Sequence, residues 1–245
     1  MANQNNTRQT QDDYIISYLI LRQLIGILGI ALPFALIVGN RLLGNEYWFQ
    51  SSISHYYYSY MHIAFVAVLI VLGLVLISYR EKTNPLANSV STFAGIFALG
   101  VATFPTSYCG FMGTEYIDTT YWQGWFRYIH FGCALFLFVC FAVFCFKIFQ
   151  KSDEGVTPKN FDPKKLLRNK IYSFCGWGIV ISIALIASGF IYEQCYEANT
   201  YTTYSTFVFE TTALLFFGNS WLLKGSVNWK NINNKWLSKM VAPVR

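Results

Sequence analysis

Six stretches of about twenty mostly apolar residues, divided by short polar connectors, constrain this chain more than any other feature. They run roughly 17–39, 60–79, 86–106, 122–149, 171–192 and 204–224. A helix rises about 1.5 Å per residue, so about 20 apolar residues cross a hydrocarbon core of ~30 Å. Only 12% of the residues are charged, whereas a soluble domain carries about a quarter. A chain so poor in charge has too little polar surface to cover itself in water, and lipid becomes its expected solvent. The expected fold is therefore all-α: a six-helix transmembrane bundle over 14–225. It is preceded by a disordered polar N-terminus at 1–13 and followed by a basic amphipathic tail at 226–245. Residues 1–13 include Asp12 and Asp13 and lack the basic start and small-residue cleavage site of a secretory signal.

Basic residues in short loops orient such a bundle, because Lys and Arg are retained on the cytoplasmic side. Arg80 and Lys82 lie in the second connector; Lys151, Lys159, Lys164, Lys165, Arg168 and Lys170 lie in the fourth. The third and fifth connectors carry Glu115, Asp118, Glu193 and Glu197 and no Lys or Arg; Arg41 beside Glu46 in the first is a weak exception. This alternation places both termini in the cytoplasm, with a bacterial inner membrane as the expected location. In the tail, Trp229, Ile232, Trp236, Leu237 and Met240 share one helical face, with Lys230, Lys235 and Lys239 off it. That pattern predicts an interfacial amphipathic helix on anionic lipid. A loosely ordered tail with incidental tryptophans is the plainer alternative. The net charge of +6 resides in connectors and tail rather than on a folded basic face, so nucleic acid is not an expected partner.

Reactive side chains are few. "SSISHYYYSYM", at 51–61, precedes the second apolar stretch and brings together serines, tyrosines and His55. The predicted topology puts His55, His62 and His130, the three histidines of the chain, on the outer side. Three imidazoles there would suit zinc with an open position for water, giving a metal-dependent hydrolase. The alternative is that they hydrogen-bond tyrosines or headgroups. Ser51 and His55 also show the Ser-x-x-x-His spacing of the alkaline ceramidase superfamily. That superfamily has a further His-x-x-x-His pair on its last helix, and this chain has no histidine after His130.

Glu210 lies about six positions into the last stretch. An ionised group at that depth is costly and calls for a partner inside the bundle. Arg127, at similar depth in the fourth stretch, is the expected partner, with His62 or His130 as alternatives and a purely structural ion pair as the plain reading. Asn219 and Ser220 suit bonds between helices. Arg22 and Lys224, near the cytoplasmic ends, suit snorkelling to headgroups. Cys109 and Cys195 lie in two outer connectors, where an oxidising exterior would let them pair. Ala94, Ala98 and Ala102 recur every four residues and predict a close helix contact. The expected ligand pocket is His55, Tyr56, Tyr57, His62, Arg127, His130 and Glu210. The chain has no phosphate-cradling Gly-Lys-Ser/Thr loop, dinucleotide fingerprint or Gly-x-Ser-x-Gly elbow.

"SSISHYYYSYMHIAFVAVLIVLGLVLISYR", "FAGIFALGVATFPT" and "ETTALLFFGNSWLLKG" resemble a family of uncharacterised bacterial multi-pass membrane proteins. The resemblance covers most of the chain and points to Ser52, Ser54, Tyr56, Tyr57, Pro105, Glu210, Gly218, Trp221 and Lys224. It implies fold and topology and carries no established activity. Three functions are compatible with these residues: binding or transport of a lipid or small amphiphile without a cofactor, zinc-dependent hydrolysis in the membrane, and a sensor or interaction subunit acting through the basic loop and tail.

Overall fold

The computed structural model describes residues 2–44, 47–81, 84–112, 115–119, 124–151, 163–196 and 204–226, with backbone alone at 2–18, 112 and 193–196. Six long helices dominate it: α1 (Ala2–Leu42), α2 (His62–Ser78), α3 (Pro85–Thr103), α4 (Phe126–Val143), α5 (Pro163–Tyr196) and α6 (Ser205–Ser226). Among the described residues, four segments are long and apolar enough to cross a membrane: Leu19–Leu42, Pro85–Thr103, Phe126–Ile148 and Pro163–Tyr192. They have the length and composition of helices in an integral membrane protein. His62–Ser78 is apolar but shorter.

Two expectations change. Residues 2–13 were expected to be disordered but continue α1, since no Gly or Pro interrupts the chain before Gly26. The fold is also not purely α-helical. The third connector folds into an antiparallel hairpin of β1 (Cys109–Met112) and β2 (Glu115–Asp118), registered with Cys109 opposite Asp118 and Met112 opposite Glu115. Thr119 closes it, its N–H donating to the Tyr108 carbonyl at 2.9 Å. The predicted amphipathic helix lies outside the described residues.

Each helix packs on its neighbours in sequence, and α1 packs on α6, so the six form a closed ring. The closest crossings use glycine. A Cβ on Gly218 would stand 2.6 Å from the Gly26 carbonyl oxygen, and one on Gly95 would stand 2.5 Å from that of Gly73. Small residues let helix backbones approach where lipid offers no hydrophobic drive for association. Ala94, Ala98 and Ala102 are buried, as their spacing predicts. Pro85 begins α3, where its missing N–H costs nothing.

Across the ring, Phe141 of α4 stacks on Phe217 of α6 with centroids 3.6 Å apart. Below this pair Trp221 packs edge-on against Tyr79 and Phe149. Past Val143, α4 widens into a π-helical turn, Phe144–Ile148, and Phe144 joins this cluster. The Arg22 guanidinium does not snorkel: it is buried, donates to the Tyr79 hydroxyl at 3.0 Å and lies 3.8 Å from Glu81. Lys224 sits over the Phe149 ring. Asn219 and Ser220 bond carbonyls of their own helix, at Leu215 and Phe217, rather than bridging helices. This aromatic plug closes one end of the ring. The other end holds the polar residues.

Candidate functional site

Ile53–Tyr58 forms a single 3-10 turn ahead of α2. Ser52 caps it, its Oγ accepting from the Ser54 N–H at 3.1 Å. Three serines on this turn meet three different titratable groups. Ser52 Oγ donates to Glu210 Oε2 at 2.9 Å. Ser54 Oγ lies 2.9 Å from His130 Nε2. Ser51 Oγ lies 2.8 Å from His55 Nδ1. Further bonds fix the turn to the bundle. The Ile53 N–H donates to Glu210 Oε2 at 2.6 Å, the Phe207 N–H donates to the Ser51 carbonyl at 2.9 Å, and Tyr58 Oη donates to the Thr106 carbonyl at 2.7 Å.

These bonds assign roles. Glu210 is an acceptor at the N-terminus of the turn, where unpaired N–H groups and the local dipole favour a carboxylate. His130 Nδ1 faces the Phe104 carbonyl at 2.7 Å. In the neutral imidazole Nδ1 therefore carries the proton and Nε2 accepts from Ser54. His55 has the opposite tautomer. The Ser107 backbone lies near the ring and favours a proton on it, which leaves Nδ1 as acceptor for the Ser51 hydroxyl. Burial, reinforced by the nearby His130, lowers the His55 pKa to about 4, so the ring is neutral at pH 7.

A cavity of about 590 Å³ opens beside the turn. Ser51, Ser52, Ser54, His55, Thr106, Ser107, His130, Thr206 and Glu210 contribute its polar part, while α4 and α5 contribute an apolar wall that includes Phe131, Leu135, Phe138, Ile183 and Phe190. Phe131, Leu135 and Phe190 are also exposed. The wall thus includes large apolar side chains that the bundle leaves uncovered.

Above the turn, Tyr108 packs edge-on against His55 with centroids 5.3 Å apart and stacks on Tyr58. Its hydroxyl donates toward Gln50 Oε1 at 3.2 Å and the Phe111 carbonyl at 3.0 Å, tying the hairpin to the first connector. Burial raises the Tyr108 pKa, which keeps this phenol a donor.

Of the expected pocket residues, His55, His130 and Glu210 line the cavity. Tyr56 does not: it is fully buried, donates to the Trp48 carbonyl at 3.1 Å, and has its pKa raised to about 12 by burial. Tyr57 packs on Tyr58 and His62, and His62 Nδ1 bonds the Tyr57 carbonyl. Arg127 is not the partner of Glu210. Its guanidinium lies over the Tyr128 ring and donates to that hydroxyl at 2.8 Å. The carboxylate takes uncharged donors from the turn instead. Among the described residues no three His, Cys, Asp or Glu groups are arranged to hold a metal ion, so the grouping of His55, His62 and His130 for zinc is not present there. Cys109 is a free thiol 2.7 Å from the Tyr116 hydroxyl, and the side chain of Cys195 lies outside the described residues.

Sequence reasoning missed Ser107, Thr206 and the wall from α4 and α5. The wall reads as ordinary apolar helix, and only its placement beside the turn makes it part of a cavity. No protein-family model matches the chain, and neither a curated protein nor a solved structure does.

Proposed function

We propose that this protein binds a lipid or small amphiphile in the cavity between the 3-10 turn and the wall of α4 and α5, with the headgroup at the serine–histidine end. The observation that carries this reading is the division of the cavity: polar side chains at the turn, and an apolar wall that includes the exposed side chains of Phe131, Leu135 and Phe190. An acyl chain entering from the bilayer would keep its contact with apolar surface throughout, while its head gains hydrogen bonds in a site of low dielectric. In this reading the six helices all span an inner membrane with both termini cytoplasmic. The turn and hairpin then lie on the outer side, and the aromatic plug at the inner end blocks a through-path. That geometry favours binding from the outer leaflet over transport.

The test is to fill the apolar arm. Ala134 and Ala187 line it. The Ala134→Trp and Ala187→Trp chains are expected to bind a fluorescent long-chain ether lysophospholipid at least tenfold more weakly than the wild-type chain, in the same detergent and with unchanged thermal midpoints. Unchanged affinity in both would place binding elsewhere and sink the reading.

A further inference from the structure

We infer that Ser51 is a nucleophile with His55 as its base, and that the cavity cleaves a carboxylic ester whose acyl chain lies along the wall of α4 and α5. This rests on the amphiphile reading of the cavity and goes beyond it by assigning chemistry.

Three features single out this pair. First, Ser52 and Ser54 are held by Glu210 and His130, each of which has a further partner, the Ile53 N–H and the Phe104 carbonyl. Ser51 and His55 have each other, at 2.8 Å, on the wall of the cavity. Second, the tautomer is set for base catalysis. The Ser107 backbone lies near the ring and favours a proton on it, and Nδ1 faces the serine hydroxyl at 2.8 Å. A base oriented by a third group, within hydrogen-bond reach of a hydroxyl, is the arrangement that activates serine. Third, the pair is rigid. The Ser51 carbonyl, the Ile53 N–H and the Ser54 hydroxyl are bonded to α4 or α6, and the His55 N–H donates to the Ser52 carbonyl at 3.2 Å. Holding the reacting groups on such a scaffold removes the entropy of aligning them.

The steps balance with water as the second reactant. Ser51 Oγ attacks the ester carbonyl carbon as its proton passes to His55 Nδ1. The tetrahedral intermediate collapses, the bond to the alcohol oxygen breaks, and His55 returns the proton to the departing alkoxide. Water then attacks the acyl-serine and gives His55 a proton. The acid leaves, and Ser51 Oγ recovers the proton. Ser107 and Thr206 also line the cavity and adjoin the turn, one beside His55 and the other as the neighbour of Phe207. Their hydroxyls are the groups available to receive the developing oxyanion.

The experiment uses the full chain in detergent with two probes: a long-chain alkyl fluorophosphonate, read by mass spectrometry of the Ser51 peptide, and the non-reactive ether lysophospholipid. The expected result is a phosphonyl adduct on Ser51, absent in Ser51→Ala and formed at least 100-fold more slowly in His55→Gln, with the ether lipid competing. General-base catalysis contributes about 10²–10⁴-fold, which sets that threshold. If the ether lipid binds the wild-type chain and Ser51 stays unmodified, the nucleophile assignment is wrong and the binding reading stands. If neither probe binds, both fall.

Discussion

Ser52 and Glu210, 158 positions apart, meet at 2.9 Å, and through this bond α6 holds the turn that opens the second helix. The carboxylate accepts from the Ile53 N–H as well, so one side chain satisfies two donors of the turn. The acid that stood out in the sequence as a lone buried charge is the anchor of the turn.

That role predicts a graded response. Glu210→Ala leaves the Ser52 hydroxyl and the Ile53 N–H without their acceptor, and an unsatisfied buried group costs about 1–3 kcal/mol. Glu210→Gln keeps one acceptor oxygen for the Ile53 N–H and is expected to lose less than half as much. Unfolding in mixed micelles, followed by tryptophan fluorescence, measures both. Equal losses for the two variants would show that the charge, rather than the acceptor geometry, is what matters.

His55 makes stability depend on pH. The unfolded imidazole binds its proton near the ordinary value of 6.5, the folded one only near about 4. Between those values the unfolded state holds more protons, so stability rises with pH. The contribution is present at pH 7 and is lost progressively as pH falls from 6.5 toward 4. A shift of this size corresponds to about 3 kcal/mol at most. Ser51, Tyr108 and His130 are the groups around the ring, and His130 and Glu210 share its cavity. The control is therefore His55→Asn, which keeps a polar atom near Nδ1 but does not titrate. Thermal midpoints of the two chains are expected to converge between pH 7 and 4.5. Parallel curves would assign the pH dependence to other groups.

The orientation proposed for the bundle rests on its basic connectors, and Cys109 tests it. This thiol is exposed on the hairpin and pairs with no cysteine among the described residues. In a Cys195→Ser chain, a membrane-impermeant maleimide added to intact cells is expected to label Cys109. Labelling only after permeabilisation would turn the bundle over and place the candidate site on the cytoplasmic face.

The apolar stretches, at the length a helix needs to cross a bilayer, made α1, α3, α4 and α5 legible from residue order alone, because periodicity and hydropathy are local properties. The four-residue spacing of Ala94, Ala98 and Ala102 was readable for the same reason. Three of the seven expected pocket residues, His55, His130 and Glu210, do meet in the cavity, since each is a polar group that apolar surroundings force toward others. Their partners were not readable. Depth along a helix suggested Arg127 for Glu210, but depth carries no information about which face a helix turns inward. The ring order, closed by Gly26 against Gly218, decides that Glu210 faces the turn, while the guanidinium of Arg127 lies over Tyr128. The stretch at 51–61 announced unusual chemistry. Only the tertiary structure gave Ser52 to Glu210 and Ser54 to His130 and left Ser51 with His55 at the cavity, because those hydrogen bonds join residues that no local rule relates.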